Sequence, residues 1–183
     1  ASLGLLAGGV LPVVKHMPGH GRATSDTHMA LPTITAPLDA LEGHDFAPFR
    51  ALSDMPLGMT AHVVMTAVDP ERPATQSPIA IRDVIRRRIG FDGLLMSDDL
   101  SMKALGGDFA ERARLVLAAG VDVVLHCNGE MAEMEAVAKG AGRLSPAGMR
   151  RAKAALARIS GPSGRFDRGQ ALIRFDELLA LAG

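Results

Sequence analysis

The chain has 183 residues, 48% of them hydrophobic, which is enough for one domain with a sizeable packed core. Twenty basic and twenty acidic residues cancel, so the net charge gives no sign of a nucleic-acid or anionic membrane partner. No apolar run approaches the roughly 20 residues that a membrane-spanning helix needs.

Four near-continuously apolar runs, taken in chain order, are predicted to be parallel strands covered on both faces. They lie at residues 11–14, 58–65, 93–96 and 121–126. Helical patterns occupy the intervals and the C-terminal part, at residues 47–52, 79–89, 108–119, 131–139, 145–159 and 175–181. This alternation predicts an α/β fold with a parallel sheet and right-handed crossovers.

Polar residues follow three of the apolar runs, at the carboxyl end of each predicted strand. They are Lys15-His16, Asp98-Asp99 and residues 126–128. A (β/α) TIM-type barrel places its active site at this end of its strands, but it needs eight strand–helix units in typically about 250 residues. Four units are recognisable here, so the sequence predicts either an open α/β sheet or about the second half of a barrel.

The single cysteine, Cys127, excludes an internal disulfide and suits a reducing compartment, so a cytoplasmic location is expected. It follows the apolar run 123–125, and an inert buried thiol is therefore predicted. Residues 1–4 include neither an initiator methionine nor the charged start of a signal peptide. We expect the chain to begin in the middle of a domain.

Two segments about seventy residues apart carry most of the candidate chemistry. The first, KHMPGHGRATSDTH at residues 15–28, packs three histidines, a lysine, an arginine and an aspartate around a turn rich in proline and glycine. The second, MSDDL at residues 96–100, ends an apolar run with two adjacent carboxylates. An apolar strand that delivers carboxylates at its exit, opposite a polar loop, is typical of a hydrolytic site.

The first segment resembles the signature K-H-F-P-G-H-G-x4-D-[ST]-H of family 3 glycoside hydrolases, with Met17 where an aromatic residue is usual. Residues 89–102, IGFDGLLMSDDLSM, look like the nucleophile segment of the same family, and residues 61–63 and 122–128 are also similar. The likeness keeps its order and spacing from about residue 11 to residue 128. These motifs are long and mutually consistent.

The resemblance implies a single catalytic domain over residues 1–183 that lacks its N-terminal part. It also implies a retaining β-N-acetylhexosaminidase, similar to the bacterial enzymes of peptidoglycan recycling. Such an enzyme releases terminal N-acetylglucosamine from muropeptides, in which that sugar is linked to anhydro-N-acetylmuramic acid. No cofactor and no metal are implied.

Cleavage with retention needs a carboxylate to attack the anomeric carbon and an acid to protonate the leaving oxygen. By resemblance Asp98 is the nucleophile, His28 is the acid/base and Asp26 orients it. An imidazole can donate a proton and then accept one near neutral pH, and a neighbouring carboxylate supports its cation. The resemblance also implies that Lys15 and His16 bind sugar hydroxyls.

Other polar positions are expected to be structural. Asp99 is expected to cap the turn that follows it, and His62, inside an apolar run, is expected to be a satisfied core histidine. The arginines at 86–88 end a predicted helix, where solvent and the helix dipole favour them. For His126 and Asn128, a place on the pocket floor and a purely structural place are equally supported.

Three alternatives remain open. A family 3 β-glucosidase is a close rival, although the Asp26/His28 element favours the hexosaminidase branch. A metal-dependent barrel hydrolase would use His16, His20, His28 and Asp98 as ligands, but its three histidines would all come from one glycine-rich segment. In the third alternative these residues are an inactive fragment, which binds sugar poorly or folds only by pairing with the missing N-terminal half of the barrel.

Overall fold

The computed structural model describes residues 1–23, 30–159, 161 and 167–182. Its strands are β1 (Val13–Met17), β2 (Thr33–Ile34), β3 (Leu57–Thr60), β4 (Val64–Met65), β5 (Leu94–Asp99) and β6 (Val123–Leu125). Its α-helices are α1 (Ser2–Ala7), α2 (Leu38–Ala40), α3 (Ala47–Arg50), α4 (Phe109–Ala118), α5 (Met131–Ala141), α6 (Pro146–Leu156) and α7 (Arg168–Ala182). Two π-helices, Leu41–Asp45 and Ala80–Ile89, and a 3-10 helix, Ala74–Gln76, lie between them.

The centre of the fold is a four-stranded parallel sheet whose strands stand in chain order, β1-β3-β5-β6. Helical segments lie in every connection between neighbouring strands of this sheet. The short strands β2 and β4 form a second parallel pair. The prediction of an α/β fold with a parallel sheet is therefore confirmed, and the carboxyl ends of the strands meet at one edge.

The predicted strand at 58–65 is in fact two strands, β3 and β4. Between them the N–H of Ala61 donates to the carbonyl of Met17 (2.7 Å), and the N–H of Ala74 donates to the carbonyl of Val63 (2.8 Å). After β3 the backbone therefore no longer pairs with β5 and bonds to other segments instead. An apolar run alone does not show such a change of partner.

Several element boundaries also differ from the predicted ones. β5 continues past Met96 to Asp99, so both carboxylates belong to the strand itself. α7 begins at Arg168 rather than near Phe175. α1 and β2 were not predicted. α1 buries none of its residues and β2 is only two residues long, so neither has the apolar periodicity by which helices and strands are recognised in a sequence.

The starts of α4 and α6 follow the capping signals in the sequence. The side chain of Asp108 accepts a hydrogen bond from the N–H of Glu111 (2.8 Å), and the hydroxyl of Ser145 accepts one from the N–H of Gly148 (3.0 Å). Across the described ranges, none of the helices has the length and apolar character to cross a bilayer.

The core holds the start of β5 tightly. Phe91 and Leu95 are fully buried. A Cβ on Gly93 would lie 2.5 Å from the carbonyl oxygen of Met55 and 2.6 Å from the Phe91 ring, so only glycine fits just before the strand. The strand that ends at Asp98 and Asp99 therefore begins from a rigid base.

An ionic cluster also fastens β5 to its neighbours. Asp122, whose side chain is 3% exposed, accepts hydrogen bonds from Arg86 Nη2 (2.8 Å), Arg151 Nη1 (2.9 Å) and the N–H of Leu95 (2.9 Å). The prediction that the arginine run is solvated is wrong for Arg86, whose side chain is only 14% exposed. The buried carboxylate of Asp122, distant in sequence, draws this arginine inward, whereas Arg87 is exposed.

Candidate active site

The carboxyl ends of β1 and β5 bring a histidine and a carboxylate together. His16 Nε2 lies 3.6 Å from Asp98 Oδ2, and the two side chains meet across the end of β3, which lies between their strands. Lys15 precedes His16 on β1 and is exposed. The predicted meeting of the two segments is therefore present for His16, whereas Asp26 and His28 lie outside the described residues.

A cleft of about 440 Å³ opens beside this pair. Its lining consists of Lys15, His16, Gly19, His20, Gly21, Arg22, His44, Asp45, Pro48 and Phe49. Arg22 Nε donates to Asp45 Oδ2 (2.7 Å), and a Cβ on Gly19, whose φ is +146°, would lie 2.9 Å from the Cβ of Asp45. The sequence did not identify the four cleft residues His44, Asp45, Pro48 and Phe49, because they are distant in sequence from the first segment.

His16 is held in its neutral form by its surroundings. Burial lowers the pKa of His16 below its ordinary 6.5; Lys15 and His20 act in the same direction, and Asp98 opposes them. Its distance of 3.6 Å from Asp98 is longer than a direct hydrogen bond. A neutral imidazole, a carboxylate and the exposed ammonium of Lys15 together offer donors and acceptors suited to sugar hydroxyls.

Asp98 and Asp99 differ in how many bonds they make. Asp98 Oδ1 accepts one hydrogen bond, from the N–H of Asp99 (2.9 Å), and its side chain is 17% exposed. Asp99 accepts from the N–H of Ser101 (2.9 Å), the hydroxyl of Ser101 (2.5 Å) and the N–H of Cys127 (3.1 Å). The structural place predicted for Asp99 is present, and Asp98 is the carboxylate with fewer hydrogen bonds, next to His16.

The pKa of Asp99 reflects these bonds. Burial acts to raise the pKa of this carboxyl, but the hydrogen bonds from Ser101 and Cys127 and the nearby His126 outweigh it and hold the pKa below its ordinary 3.8. Because the folded pKa is below the unfolded one, ionised Asp99 adds stability that is fully present above about pH 4. That stability is lost as the pH falls through the folded pKa.

Asp99→Asn is therefore expected to lower the free energy of unfolding by about 1.5–3 kcal/mol at neutral pH, since hydrogen bonds to a charged group are lost. It should also flatten the fall in stability below about pH 4. Urea unfolding between pH 3 and 7 measures both effects. Asp98→Asn is the matched control, because Asp98 accepts a single backbone bond; equal losses in the two variants would contradict the assignment.

His62 is buried as predicted, but it is only half satisfied. Its side chain is fully buried, and Nε2 lies 3.0 Å from the carbonyl oxygen of Asp99. Nδ1 has no hydrogen-bond partner among the described residues. Burial lowers the pKa of His62, with the Asp99 carbonyl and the charges of Asp98 and Asp99 opposing the shift.

His126 is buried beside the site rather than on the floor of the cleft. Its side chain is 4% exposed, packs edge-on against Phe109 with ring centroids 5.2 Å apart, and lies 3.4 Å from Glu133 and 3.9 Å from Asp99. Asn128 donates to Glu133 and so sits at the start of α5. The structural interpretation therefore fits both residues.

The prediction of a buried Cys127 is wrong, because the thiol is exposed. Partial desolvation and the carboxylates of Asp99 and Asp98 raise the pKa of this thiol. The protonated form is therefore favoured, and the low reactivity of Cys127 stays a prediction.

Of the four ligands in the metal alternative, His28 is outside the described ranges. Within those ranges, no three His, Cys, Asp or Glu side chains form a group that could hold a metal ion.

Comparison with known proteins extends the resemblance. A profile of the family described as "Glycosyl hydrolase family 3 N terminal domain" matches residues 3–161. A protein named "Beta-hexosaminidase" from Neisseria gonorrhoeae is 46% identical over 129 residues, which are 68% of this chain and 36% of the relative. One of the same name from Alkalilimnicola ehrlichii is 44% identical over 129 residues, 68% of this chain and 37% of the relative.

Solved structures agree in fold. A family 3 β-N-acetylglucosaminidase from Paenibacillus sp. str. FPU-7 matches with a TM-score of 0.80 and 31% identity, over 92% of this chain and 35% of that one. NagZ from Neisseria gonorrhoeae, in complex with N-trifluoroacetyl-D-glucosamine, matches with a TM-score of 0.74 and 37% identity, over 89% of this chain and 46% of that one. The prediction of part of a (β/α) barrel is confirmed, and the chain spans about a third of the length of the curated relatives it matches.

Proposed function

Because this chain belongs to glycosyl hydrolase family 3, we propose that it carries the nucleophile and sugar-binding side of a β-N-acetylhexosaminidase site. The observation that carries the proposal is the approach of His16 to Asp98, 3.6 Å apart at the carboxyl edge of the sheet. Two motifs far apart in sequence, each similar to one family motif, meet there. Their meeting is what a common saccharide would require.

In the proposed reaction Asp98 attacks the anomeric carbon as the bond to the leaving oxygen breaks. His28, oriented by Asp26, gives its proton to that oxygen, so the aglycone leaves as an alcohol and the sugar remains as an ester of Asp98. Water then attacks the anomeric carbon and gives a proton to His28. The ester breaks, and the sugar is released with its configuration retained.

Lys15 and His16 are proposed to bind hydroxyls of the same sugar. Lys15 is exposed at the cleft, and His16 is neutral beside Asp98. A neutral imidazole can donate one hydrogen bond and accept another, whereas an ammonium only donates. Together the two side chains can bind hydroxyls without a counter-charge on the substrate.

The proposed substrate is a terminal N-acetylglucosamine, as in muropeptides where it is linked to anhydro-N-acetylmuramic acid. In support, curated relatives carry the name "Beta-hexosaminidase", and one similar structure holds N-trifluoroacetyl-D-glucosamine. A place in peptidoglycan recycling in the cytoplasm is part of this proposal. Since the aligned part of this chain covers only 36% of the Neisseria gonorrhoeae relative, we propose that activity also needs barrel strands beyond the four described here.

Trapping the covalent intermediate tests the proposal in the full-length protein. 5-Fluoro-N-acetylglucosaminyl fluoride should lose fluoride and leave a glycosyl ester, whose mass maps to the peptide that contains Asp98. The matched 5-fluoroglucosyl fluoride should label far more slowly. Label on another residue would overturn the nucleophile assignment, and faster labelling by the glucosyl reagent would favour the β-glucosidase alternative.

A further inference from the structure

The ladder between β3 and β5 ends before the catalytic edge of the sheet. The paired residues run from Leu57 with Leu94 to Met59 with Met96. Three residues further along β5, the carbonyl of Asp99 nevertheless has a donor on its β3 side, the Nε2 of His62 at 3.0 Å. A side chain therefore donates the hydrogen bond that a backbone N–H of β3 would donate if the ladder continued.

The backbone on both sides of His62 is hydrogen-bonded to other segments. The N–H of Ala61 donates to the carbonyl of Met17 (2.7 Å), and the carbonyl of Ala61 accepts from Thr75 (3.2 Å). The carbonyl of Val63 accepts from Ala74 (2.8 Å), and both Ala61 and Val63 are fully buried. The ring of His62 thus projects from a rigid segment into a packed interior, where few rotamers fit.

The partner fixes which nitrogen of His62 carries the proton. A carbonyl oxygen only accepts, so Nε2 must be the donor. Burial lowers the pKa of His62, so the ring is neutral near pH 7 and Nδ1 holds a lone pair. His62 is therefore a neutral donor, similar in this respect to a peptide N–H.

Asp99 relays this contact to Asp98. The peptide between residues 99 and 100 is held on both sides, by His62 on its carbonyl and by the carbonyl of Leu125 on the N–H of Leu100 (2.9 Å). The preceding peptide N–H, that of Asp99, donates to Asp98 Oδ1 (2.9 Å). The orientation of the Asp98 carboxylate thus depends on a backbone segment that His62 helps to fix.

We propose that His62 is a positioning residue for Asp98, acting as a side-chain substitute for a strand N–H at the end of β5. It does not touch the sugar; it sets the angle from which the carboxylate attacks. This inference rests on the proposed function, because it matters to catalysis only if Asp98 is the nucleophile. Among the described residues, no other side chain on the β3 side donates a hydrogen bond to the backbone of Asp98 or Asp99.

The kinetic test compares two side chains of similar length in the full-length protein. His62→Gln keeps an amide donor, whereas His62→Met removes it. With a nitrophenyl N-acetylglucosaminide as substrate, the His62→Met variant is expected to have a kcat roughly 10- to 100-fold lower and a nearly unchanged KM. Small displacements of a reacting group such as the Asp98 carboxylate slow the chemical step. Gln should recover to within about three-fold of the wild-type protein.

The rate of labelling by 5-fluoro-N-acetylglucosaminyl fluoride should follow the same order: wild type, Gln, then Met. Thermal unfolding of the two variants supplies the control, since a merely structural role would lower activity only in proportion to the unfolded fraction. If the folded Met and Gln variants labelled at equal rates, the inference would fail while the proposed function stood. If the wild-type protein were not labelled at Asp98, the proposed function itself would fail.

A second measurement needs no variant, and so does not depend on whether His62→Met folds. In the ¹⁵N-histidine NMR spectrum of the wild-type protein, His62 should be the Nε2–H tautomer, with that proton protected from exchange. The Nδ1–H tautomer would overturn the inference, because a lone pair on Nε2 cannot bond to the Asp99 carbonyl.

Discussion

Asp98→Asn is expected to lower kcat on an N-acetylglucosaminide by roughly 10⁴-fold or more in the full-length protein, as for other catalytic nucleophiles. The amide keeps the shape of the carboxylate and can still accept from the N–H of Asp99. The fold should therefore be intact, and the loss should lie in the chemical step. Steady-state turnover and mass spectrometry of the trapped sugar ester measure it.

Asp92→Asn is the matched control for this variant. Asp92 lies just before β5 with its side chain 62% exposed, and it pairs with Arg150 and Arg151 away from His16. These arginines lower the pKa of Asp92 to about 2, with partial burial opposing them. Its turnover should match that of the wild-type protein, and an Asp98→Asn variant that kept more than about one per cent of the turnover would refute the nucleophile assignment.

Asp122→Asn is expected to cost about 3–5 kcal/mol of the free energy of unfolding, because it leaves buried guanidinium groups without their partner. The carboxylate lies between Arg86 and Arg151, whose side chains are 14% and 15% exposed. Burial lowers the pKa of Arg86, with Asp122 opposing the shift, so this guanidinium is costly to bury without its partner. Urea unfolding near pH 7 provides the measurement.

The same Asp92→Asn protein separates burial from charge. It removes one carboxylate that also pairs with Arg151, but at an exposed position, so its cost should stay below about 1 kcal/mol. Similar losses in the two variants would show that Asp122 acts as an ordinary surface charge. A much larger loss for Asp122→Asn would support the buried cluster as the anchor of β5.

Much of the fold could be predicted because its signals are local. The caps of α4 and α6 depend on Asp108 and Ser145, which act within three residues of themselves. The apolar runs mark the four strands β1, β3, β5 and β6, but the prediction that both faces are covered is wrong for β1, where Val13 and Lys15 are exposed. What sequence analysis missed depends on distant partners: Arg86 was expected in solvent because nothing near it in sequence announces Asp122.

The candidate site shows the same division. Asp98 and His16 were identified by motif resemblance, and the order of the strands then explains why they meet. The packing of the first segment against Asp45 could not be foreseen, because the contact depends on where the helical connection after β2 returns. The bond between His62 and Asp99 was hidden for the same reason, since a change of strand partner after β3 creates it. The roles of Asp26 and His28 stay predictions.

Side chains also support β5 on its other flank, where the hydroxyl of Ser97 accepts from the N–H of Leu125 (3.0 Å) and Asp122 binds the N–H of Leu95 (2.9 Å). A ladder made only of backbone hydrogen bonds changes little on substitution, because every residue except proline has the same backbone donor and acceptor. Here the three side chains of His62, Ser97 and Asp122 bond to the backbone of β5 or of its neighbour, so substitution at any of them removes a contact that holds the strand. The position of β5 can therefore change with sequence while the order of the strands stays the same.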